Sequence, residues 1–387
     1  MKLRLSDIYE LQMGKTPARN MPEFWNGTNA WVSISDLTQN SKYISQTKEC
    51  ITDEAVSRTN IKKVPKDTLL MSFKLSLGKV AITATDIYTN EAIMAFIDKK
   101  VHDVDIHFMY HYFQAIDWTI GTNKAVKGIT LNKSSLSEKV IELPSIQIQR
   151  KIAEHLDKMS AVEENIQCQL SLFDKLVKSQ FVELFGDPVT NPKGWTSQKL
   201  KDICAIGSSK RVYQREQTSQ GIPFLRISDL VSKITLQEEN CNLYISEKQF
   251  GEFEEQGLVP KTRDILVTAR GTLGLCYIIK PDDKFYFQDG MISWVHTSEA
   301  EINPVYVSYL FDSQGIKRQI DKMVAGSTVA YLSIVQLGTF DILLPPLDLQ
   351  NEFAAFVEQA DKSEFLLRQL LEKQQTLKKA LMQEYFS

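Results

Sequence analysis

The sequence predicts an α+β chain in which one mixed unit occurs twice and a long coiled-coil helix follows each copy. The first reason is a repeated junction: ELPSIQIQRKIAEHL at 142–156 has a relative, LLPPLDLQNEFAAFV, at 343–357. Leu, Pro, Gln and Ala recur in the two segments at one spacing of 201 residues. Self-similarity at a fixed spacing indicates a repeated structural unit. We therefore expect four segments: mixed domains at 1–144 and 188–345, and helices at 145–187 and 346–387.

Shorter matches extend this repeat through the mixed segments, always in the same order. ISDL occurs at Ile34–Leu37 and at Ile227–Leu230. VPK occurs at Val64–Lys66 and at Val259–Lys261, followed by LLMSFKLSLG in the first copy and ILVTARGTLG in the second. Each match is weak alone, but their common order predicts two copies of one fold, related by an internal pseudo-twofold repeat.

The mixed segments alternate runs typical of strands with turn residues. KDTLLMSF, KVAITAT, DILVTAR and LCYIIKP are rich in β-branched and aromatic residues, as strands are. HFMYHYFQAI at 107–116 and VYVSYLFDS at 305–313 are predicted as short helices that pack on those strands. Each copy is therefore predicted as a sheet-and-helix domain.

The segments after the two junctions differ in character, because no glycine or proline interrupts 149–185 or 349–387. Apolar residues advance there by steps of three and four, which predicts a coiled-coil stripe. A long narrow stripe needs a partner helix, and the other copy supplies one, so we expect the two helices to pair antiparallel. The predicted stripe is His155, Met159, Val162, Ile166, Gln169, Phe173, Leu176 and Gln180 in the first helix, and Phe356, Ala360, Ser363, Leu367, Leu370, Gln374, Leu377 and Leu381 in the second.

Composition excludes several protein classes. The chain has 387 residues, of which 43% are hydrophobic and 24% charged, as in a globular protein. No apolar run is long enough for a membrane span and no leader peptide is evident, so we expect a cytoplasmic protein. Five scattered cysteines predict neither a zinc ribbon nor a disulfide framework. The net charge of −3 restricts any phosphate-binding surface to local basic loops.

The sequence contains no recognisable catalytic or metal-binding motif. Neither a phosphate-binding loop nor a dinucleotide-binding glycine motif is present. NPVY at 303–306 lacks the second proline of an adenine methyltransferase motif, and PDDK at 281–284 is interpreted as a turn. His107 and His111 lack the glutamate of a zinc-protease helix and are interpreted as ordinary helix residues.

Basic and hydroxyl residues on glycine-rich or turn-rich loops are the remaining candidates, and they occur in corresponding places in both copies. Such residues neutralise phosphates, donate hydrogen bonds to them, and in the case of arginine also read guanine. The predicted DNA-binding residues are Lys15, Thr16, Arg19, Lys74, Lys124 and Lys127 in the first copy, and Lys210, Arg211, Arg226, Arg270, Thr272 and Ser327 in the second.

The whole chain resembles the specificity (S) subunits of type I restriction–modification systems. The resemblance lies in two variable domains that each end in an LPxxxxQ junction and a long helix, here LPSIQIQ and LPPLDLQ. The entry segment LSDIYELQMGKTP, the ISDL segments, and KLSLG with its counterpart RGTLG are also typical of that family.

This resemblance implies a non-catalytic reader of double-stranded DNA. The two domains would be target-recognition domains, each reading half of a split site, and the helices would set the gap. Two adenine methyltransferase subunits and restriction subunits would be partners, and would carry S-adenosylmethionine, ATP and Mg²⁺. The methyltransferase-docking helices would present Gln149, Ile152, Leu176, Gln350, Phe353 and Leu377.

Two alternatives belong to other functional classes. One is a stand-alone nuclease or methyltransferase with built-in recognition domains, which activity of the purified chain would reveal. The other is a coiled-coil scaffold without DNA specificity, which sequence-independent or absent DNA binding would favour.

Overall fold

The computed structural model describes residues 1–38, 42–74, 76–118, 124–125, 128–129, 131–236, 241–325 and 330–386, with the backbone alone at 124–125 and 128–129. The chain divides into two units: unit 1 comprises 1–168 and 368–387, and unit 2 comprises 169–367. Each unit therefore contains one mixed domain together with parts of both long helices.

Unit 1 contains twelve strands among its described residues. They are β1 (Lys2–Arg4), β2 (Tyr9–Met13), β3 (Trp25–Val32), β4 (Tyr43–Ile44), β5 (Glu49–Ile51), β6 (Leu69–Ser72), β7 (Val80–Thr83), β8 (Tyr88–Thr89), β9 (Ile93–Asp98), β10 (Lys124–Ala125), β11 (Gly128–Ile129) and β12 (Val140–Glu142). The helices of its mixed domain are α1 (Leu5–Ile8), α2 (Ile34–Leu37), α3 (Asp53–Thr59), α4 (Ile106–Ala115) and α5 (Lys133–Ser137), and the long helix α6 (Ile146–Phe185) follows.

Unit 2 has a similar order of elements, with some differences among the described residues. Its strands are β13 (Thr196–Lys199), β14 (Ile206–Gly207), β15 (Gln217–Thr218), β16 (Ile222–Leu225), β17 (Tyr244–Ile245), β18 (Ile265–Thr268), β19 (Cys276–Ile278), β20 (Tyr286–Phe287), β21 (Ile292–Val295) and β22 (Asp341–Leu344). Its helices are α7 (Leu200–Ile203), α8 (Ile227–Thr235), α9 (Glu247–Glu255), α10 (Pro304–Asp312), α11 (Gln314–Val324) and α12 (Ile334–Gly338), and the long helix α13 (Leu347–Phe386) follows.

The sheets of the two units have similar strand orders. The main sheet has the strand order β2-β9-β6-β7-β4 in unit 1 and β14-β21-β18-β19 in unit 2, so the edge strand β4 has no counterpart there among the described residues, and β15 is an additional strand in the second sheet of unit 2. The second sheet contains β5-β3-β8 in unit 1 and β15-β17-β16-β20 in unit 2, and in both its last pair is parallel. An antiparallel pair, β1-β12 or β13-β22, lies next to each junction. The predicted α+β repeat is therefore confirmed.

The central strand of each main sheet is buried on both faces. In β6, Leu69 and Met71 pack in a core with α4, whereas Leu70 packs on the opposite face with Val32 of the second sheet. Successive side chains of a strand point to opposite faces, so one apolar run supplies two cores. The strand β18 does the same, with Ile265 and Val267 on one face and Leu266 on the other.

A buried glutamine fixes the start of each long helix. The side chain of Gln149 accepts a hydrogen bond from the Asp105 backbone N–H at 2.9 Å and donates to the carbonyls of Asp103 and Pro144. Gln350 accepts from the Asn303 N–H at 2.9 Å and donates to the Pro345 carbonyl at 2.8 Å. The repeated Leu-Pro-Gln junction thus ties each long helix to the segment before α4 or α10.

Both long helices are 40 residues long and pair antiparallel within each unit. In unit 1, His155 on α6 lies 3.0 Å from the Tyr385 hydroxyl on α13, and Lys378 forms an ion pair with Glu163. In unit 2, Phe181 of α6 packs edge-on against Phe353 of α13. The pairing of the repeated helices with one another is therefore confirmed.

In each long helix, every second residue of the predicted stripe faces the partner helix. At the other positions the residue that faces inward is the next one along the chain. Met159 and Ala360 are buried as predicted, but Val162, Leu176 and Leu377 are about half exposed. The positions one residue further on, occupied by Glu163, Val177 and Lys378 among others, face inward instead. Two of the inward positions, Glu163 and Lys378, are charged, and they form an ion pair with each other.

Both units attach their short helix to a long helix through aromatic rings, Phe108 with Phe386 and Tyr306 with Phe185, and each unit adds contacts of its own. In unit 1, Asp157 of α6 accepts hydrogen bonds from Lys42 at 2.5 Å and from His111 of α4 at 2.7 Å. His111 is buried, and its Nδ1 has no hydrogen-bond partner among the described residues. In unit 2 the corresponding region is an aromatic cluster of Phe181, Phe185, Tyr306, Tyr309 and Phe353.

Candidate nucleic-acid interface

The β6–β7 and β18–β19 hairpins carry Lys74 and Arg270 and share equivalent hydrogen bonds among their described residues. In unit 1 the Ser72 hydroxyl donates to the Ser76 carbonyl and accepts from the Lys79 N–H. In unit 2 the Thr268 hydroxyl donates to the Thr272 carbonyl at 2.5 Å and accepts from the Leu275 N–H at 2.9 Å. A hydroxyl inside the loop therefore shapes both hairpins.

A glycine closes each of these hairpins. Gly78 and Gly274 have φ angles of +77° and +79°, a left-handed conformation that side chains with a Cβ seldom adopt. The equivalence of Lys74 and Arg270 relative to these glycines, which the sequence predicted, is confirmed. Lys74 and Arg270 therefore extend from hairpins whose backbone is held by the same hydroxyl and glycine contacts.

In unit 1 two further segments meet this hairpin, so that three connections form one loop cluster, defined here as the described residues 14–20, 73–74, 76–79 and 89–93. The backbone N–H groups of Gly14 and Phe73 donate to the carbonyls of Ile93 and Ala92, at 3.3 and 3.0 Å. A Cβ on Gly14 would lie 2.2 Å from the Asn90 carbonyl oxygen, so only glycine permits this approach.

Unit 2 forms the corresponding loop cluster from residues 207–211, 269–275 and 287–292. The Ala269 N–H donates to the Met291 carbonyl at 2.9 Å, and the Ser208 hydroxyl donates to the Ile292 carbonyl at 3.3 Å. Ser209 is buried and donates to the Phe287 carbonyl at 2.7 Å. The two clusters share their topology but hold their first loop by different contacts: a glycine in unit 1 and two serines in unit 2.

Three of the residues predicted for unit 1, Lys15, Thr16 and Arg19, lie on the first loop of its cluster, and each is engaged by a neighbour. Lys15 is exposed and donates to the Thr59 carbonyl at 2.6 Å, and the Thr16 hydroxyl donates to Glu91. Arg19 forms an ion pair with Glu49, and its guanidinium lies 3.9 Å from the Trp25 ring centroid. The hydrogen bond to Glu49 raises the pKa of Arg19 above its usual value.

The predicted residues of unit 2 on its loop cluster are Lys210, Arg211, Arg270 and Thr272, all exposed. Arg211 forms an ion pair with Asp289 at 3.3 Å, with the arginine side chain 67% exposed. Contacts of this kind between exposed groups are weak, so the arginine can exchange its partner for a phosphate at little cost. The guanidinium of Arg270 contacts only the Met291 sulfur, at 3.8 Å, among the described residues.

Arg226 lies beside the same cluster, at the start of α8. Its side chain forms an ion pair with Asp229, and the backbone N–H of the next residue, Ile227, donates to the Gln288 side chain at 3.4 Å. The position of Arg226 therefore places a third arginine at the edge of the unit 2 cluster.

Three predicted DNA-binding residues lie wholly or partly outside the described structure. Lys127 and Ser327 are outside the described residues, and Lys124 is described for its backbone in β10 alone. The segments that contain them end beside the hairpins, because the Leu131 and Leu332 N–H groups donate to the Phe73 and Ala269 carbonyls at 3.3 and 2.9 Å.

Sequence reasoning missed one segment of each loop cluster, the β8–β9 and β20–β21 connections. These connections carry an amide followed by a carboxylate, Asn90-Glu91 in unit 1 and Gln288-Asp289 in unit 2. The common order of the repeat could have revealed them, because YTNE and YFQD precede corresponding strands. They were overlooked because a search for phosphate ligands favours basic residues.

The residues predicted for partner docking divide into two groups. Leu176 and Leu377 are 49% and 53% exposed, which leaves them accessible on the long helices. Gln149, Gln350 and Phe353 are instead buried, and Ile152 packs half-buried against the core of unit 1. These four side chains anchor the helices on their domains, so for them the interpretation as a contact surface is corrected to a structural one.

With the fold and the loop clusters described, comparison with known proteins identifies the family. A family model described as "Type I restriction modification DNA specificity domain" matches residues 1–171 and 192–377. The chain belongs to this family. It is therefore a DNA-specificity subunit of the type I restriction–modification class, as predicted from the repeated junctions and helices.

Individual relatives agree with this assignment. The chain is 25% identical over 379 residues to the type I restriction enzyme MjaIX specificity subunit of Methanocaldococcus jannaschii, covering 92% of this chain and 85% of that one. The crystal structure of the S subunit of the type I restriction–modification system from M. genitalium aligns with a TM-score of 0.57 at 15% identity, over 100% of this chain and 96% of that one. A structure from a study of complex assembly and conformational transition of the type I system aligns with a TM-score of 0.63 at 14% identity, over 100% and 97%. The structural matches establish the fold.

Within the described residues, no helix is long and apolar enough to cross a membrane.

Proposed function

We propose that this chain directs a type I restriction–modification complex to a split DNA sequence, with each mixed domain reading one half. The observation that carries the proposal is the loop cluster, which occurs at the same place in both units and presents a cation from the same hairpin position, Lys74 or Arg270. The two clusters occupy equivalent places but carry different side chains, so they would read two different half-sites.

The paired helices would set the gap between the half-sites and dock two adenine methyltransferase subunits. The support is their apolar outer surface: Val162, Leu172, Leu176, Leu370 and Leu377 are each about half exposed. A single exposed apolar residue is ordinary, but a series along paired helices is typical of a surface that a partner covers. Restriction subunits would join this assembly in the cytoplasm. The partners would contribute S-adenosylmethionine, ATP and Mg²⁺.

The decisive experiment is a map of methylated adenines in the host genome, with and without this gene. We expect one bipartite motif to disappear on deletion and to return on complementation. Unchanged methylation, together with failure of the chain to co-purify with a methyltransferase, would refute the proposal.

Complementation with Arg270→Ala then assigns a half-site to unit 2. Removing an exposed guanidinium from the hairpin should reduce methylation or relax the motif in one half and leave the fold intact. The matched control is Arg318→Ala, an exposed arginine on α11, which should leave the motif unchanged. Equal effects of the two variants would remove Arg270 from the DNA contacts.

A further inference from the structure

The two missed connections contain side chains whose hydrogen-bonding groups are only half used. In unit 1 the Asn90 side-chain oxygen accepts from the Ala92 N–H at 3.0 Å. In unit 2 the Gln288 side-chain oxygen accepts from the Ile227 N–H at 3.4 Å. Among the described residues, none accepts a hydrogen bond from either amide nitrogen, and both side chains are partly exposed.

The backbone around both amides is fixed on its two sides. The Asn90 N–H donates to the Val32 carbonyl at 3.0 Å, and the Gln288 N–H donates to the Leu225 carbonyl at 2.9 Å. Two and three residues further along the chain, the carbonyls of Ala92 and Met291 accept the hydrogen bonds from the basic hairpins described above. Each amide therefore lies in the middle connection of its loop cluster, between the segment that carries Lys15 or Lys210 and the hairpin that carries Lys74 or Arg270.

The residue after each amide is held in the same cluster. Glu91 accepts from the Thr16 hydroxyl, and Asp289 forms an ion pair with Arg211. These carboxylates lie against the first basic loop, and the backbone hydrogen bonds to Val32 and Leu225 hold the connection in place without DNA. Preorganised donors lose less conformational entropy on binding than donors on a free loop.

We infer that Asn90 and Gln288 read bases directly, each donating its side-chain N–H groups to an acceptor on a base edge of the half-site that its unit binds. This inference rests on the proposed function and adds specificity-determining residues to it. The surrounding lysines and arginines can bind phosphates, which carry no sequence information, and arginine can also read guanine, whereas an amide adds a neutral donor suited to a base edge. Because the amide oxygen is already engaged with a backbone N–H, the free donors favour guanine O6 and N7 or thymine O4 over an amino group.

The conservative carboxylate variants separate base reading from loop support. Asn90→Asp and Gln288→Glu keep the side-chain oxygen that accepts the backbone N–H, and they remove the amide donors. Gln147→Glu and Gln314→Glu are matched controls: both are exposed and lie in the first turn of a helix, where a carboxylate is well tolerated. All four proteins should fold as the wild type does.

The assay is methylation by the complete complex of the chain with its methyltransferase subunits. The substrates are duplexes with single base-pair changes at each position of the mapped motif. For Asn90→Asp we expect discrimination at one base pair of one half-site to fall about tenfold, with the other half unaffected. For Gln288→Glu we expect the same loss in the opposite half. The control variants should reproduce the wild-type preferences.

The outcomes separate this inference from the function on which it rests. A uniform loss of activity on every duplex, or a loss that vanishes at low salt, would show an electrostatic effect and overturn base reading. Unchanged discrimination in both variants would overturn it as well. In either case a bipartite motif for the wild-type complex would leave the proposed function standing, whereas a wild-type complex without sequence preference would remove both.

Discussion

The junctions of the two units hold equivalent helices by contacts that differ only in part. Both place aromatic rings between the short and the long helix, Phe108 with Phe386 in unit 1 and Tyr306 with Phe185 in unit 2. Unit 1 adds polar contacts of Asp157 with Lys42 and His111, and an ion pair of Glu163 with Lys378. Unit 2 uses stacked and edge-on aromatic rings around the fully buried Phe353. The buried glutamine is common to both. The repeat therefore preserves the geometry of the junction, while the remaining contacts have diverged because several chemistries stabilise the same helix position.

The largest expected difference between the units comes from truncating an aromatic ring. Phe353→Ala should lower the free energy of unfolding of unit 2 by about 3–5 kcal/mol, because it leaves a cavity among Phe181, Phe185 and Tyr309. Ile152 occupies the equivalent helix position in unit 1 and is half-buried, so Ile152→Ala should cost about 1–2 kcal/mol. Hydrogen exchange resolved by peptide, together with chemical denaturation, measures both. Equal losses would show that the aromatic cluster contributes no more than an ordinary apolar contact.

The second difference is that the stability of unit 1 should depend on pH through His111. Burial lowers the pKa of His111 to about 4. The hydrogen bond to Asp157 opposes this shift, and the positive charges of Lys42 and Lys378 add to it. Between pH 6.5 and 4 the unfolded imidazole binds a proton that the folded one does not. Stability contributed by neutral His111 is therefore present above pH 6.5 and is lost as pH falls, by on the order of 3 kcal/mol.

The comparison that isolates this effect is the wild type against His111→Gln. Burial alone would raise the pKa of Asp157, but hydrogen bonds from Lys42 and His111 lower it, so that carboxylate stays ionised through most of the window. The difference in unfolding free energy between the two proteins should change with pH between 6.5 and 4, and be constant above 7. A constant difference throughout would contradict a neutral buried His111.

The third prediction concerns the ion pair between the long helices. Lys378→Met should destabilise unit 1 by about 2 kcal/mol, because it leaves the Glu163 carboxylate, only 14% exposed, without its cation. The double variant Glu163→Leu with Lys378→Met should recover most of that loss, since the equivalent of Lys378 in unit 2 is the buried Val177. A double variant as unstable as the single one would mean that the charges themselves specify the pairing of the helices.

The smallest effect is expected on the exposed side of the helices. Leu377→Ser should change stability by less than about 0.5 kcal/mol, because this side chain faces away from the paired helix. It should nevertheless weaken co-purification with the methyltransferase partner, for which Thr376→Ser, also on the exposed surface, is the control. A large loss of stability would instead support the coiled-coil stripe predicted from the sequence, in which Leu377 packs between the two helices.

The fold could be predicted from the sequence because the chain contains each pattern twice. Two weak copies of a strand, hairpin or junction support one another, so the pair of hairpins around Lys74 and Arg270 could be predicted together. The stripe on the helices could not be placed fully, because large apolar residues such as Leu377 lie outside while Lys378 turns inward. Hydrophobicity cannot reveal that a charged residue has a buried partner more than two hundred positions away in the chain.

The loop clusters were predicted only in part for a related reason. Lysines and arginines signal phosphate binding by their type alone, whereas Asn90 and Gln288 acquire significance only from the contacts of their backbone. His111 likewise looked like an ordinary helix residue until Asp157 of another element was placed beside it. Features that depend on contacts between distant segments need coordinates.

The packing of Phe386 has a consequence for how the protein is made. This ring contacts Phe108 and Tyr112, so residues near the end of α13 complete the core of unit 1. A ribosome delivers them only after all of unit 2 has been synthesised. Unit 1, although first in the chain, therefore becomes complete last, and a nascent chain that stops short of α13 loses part of the domain that was translated first.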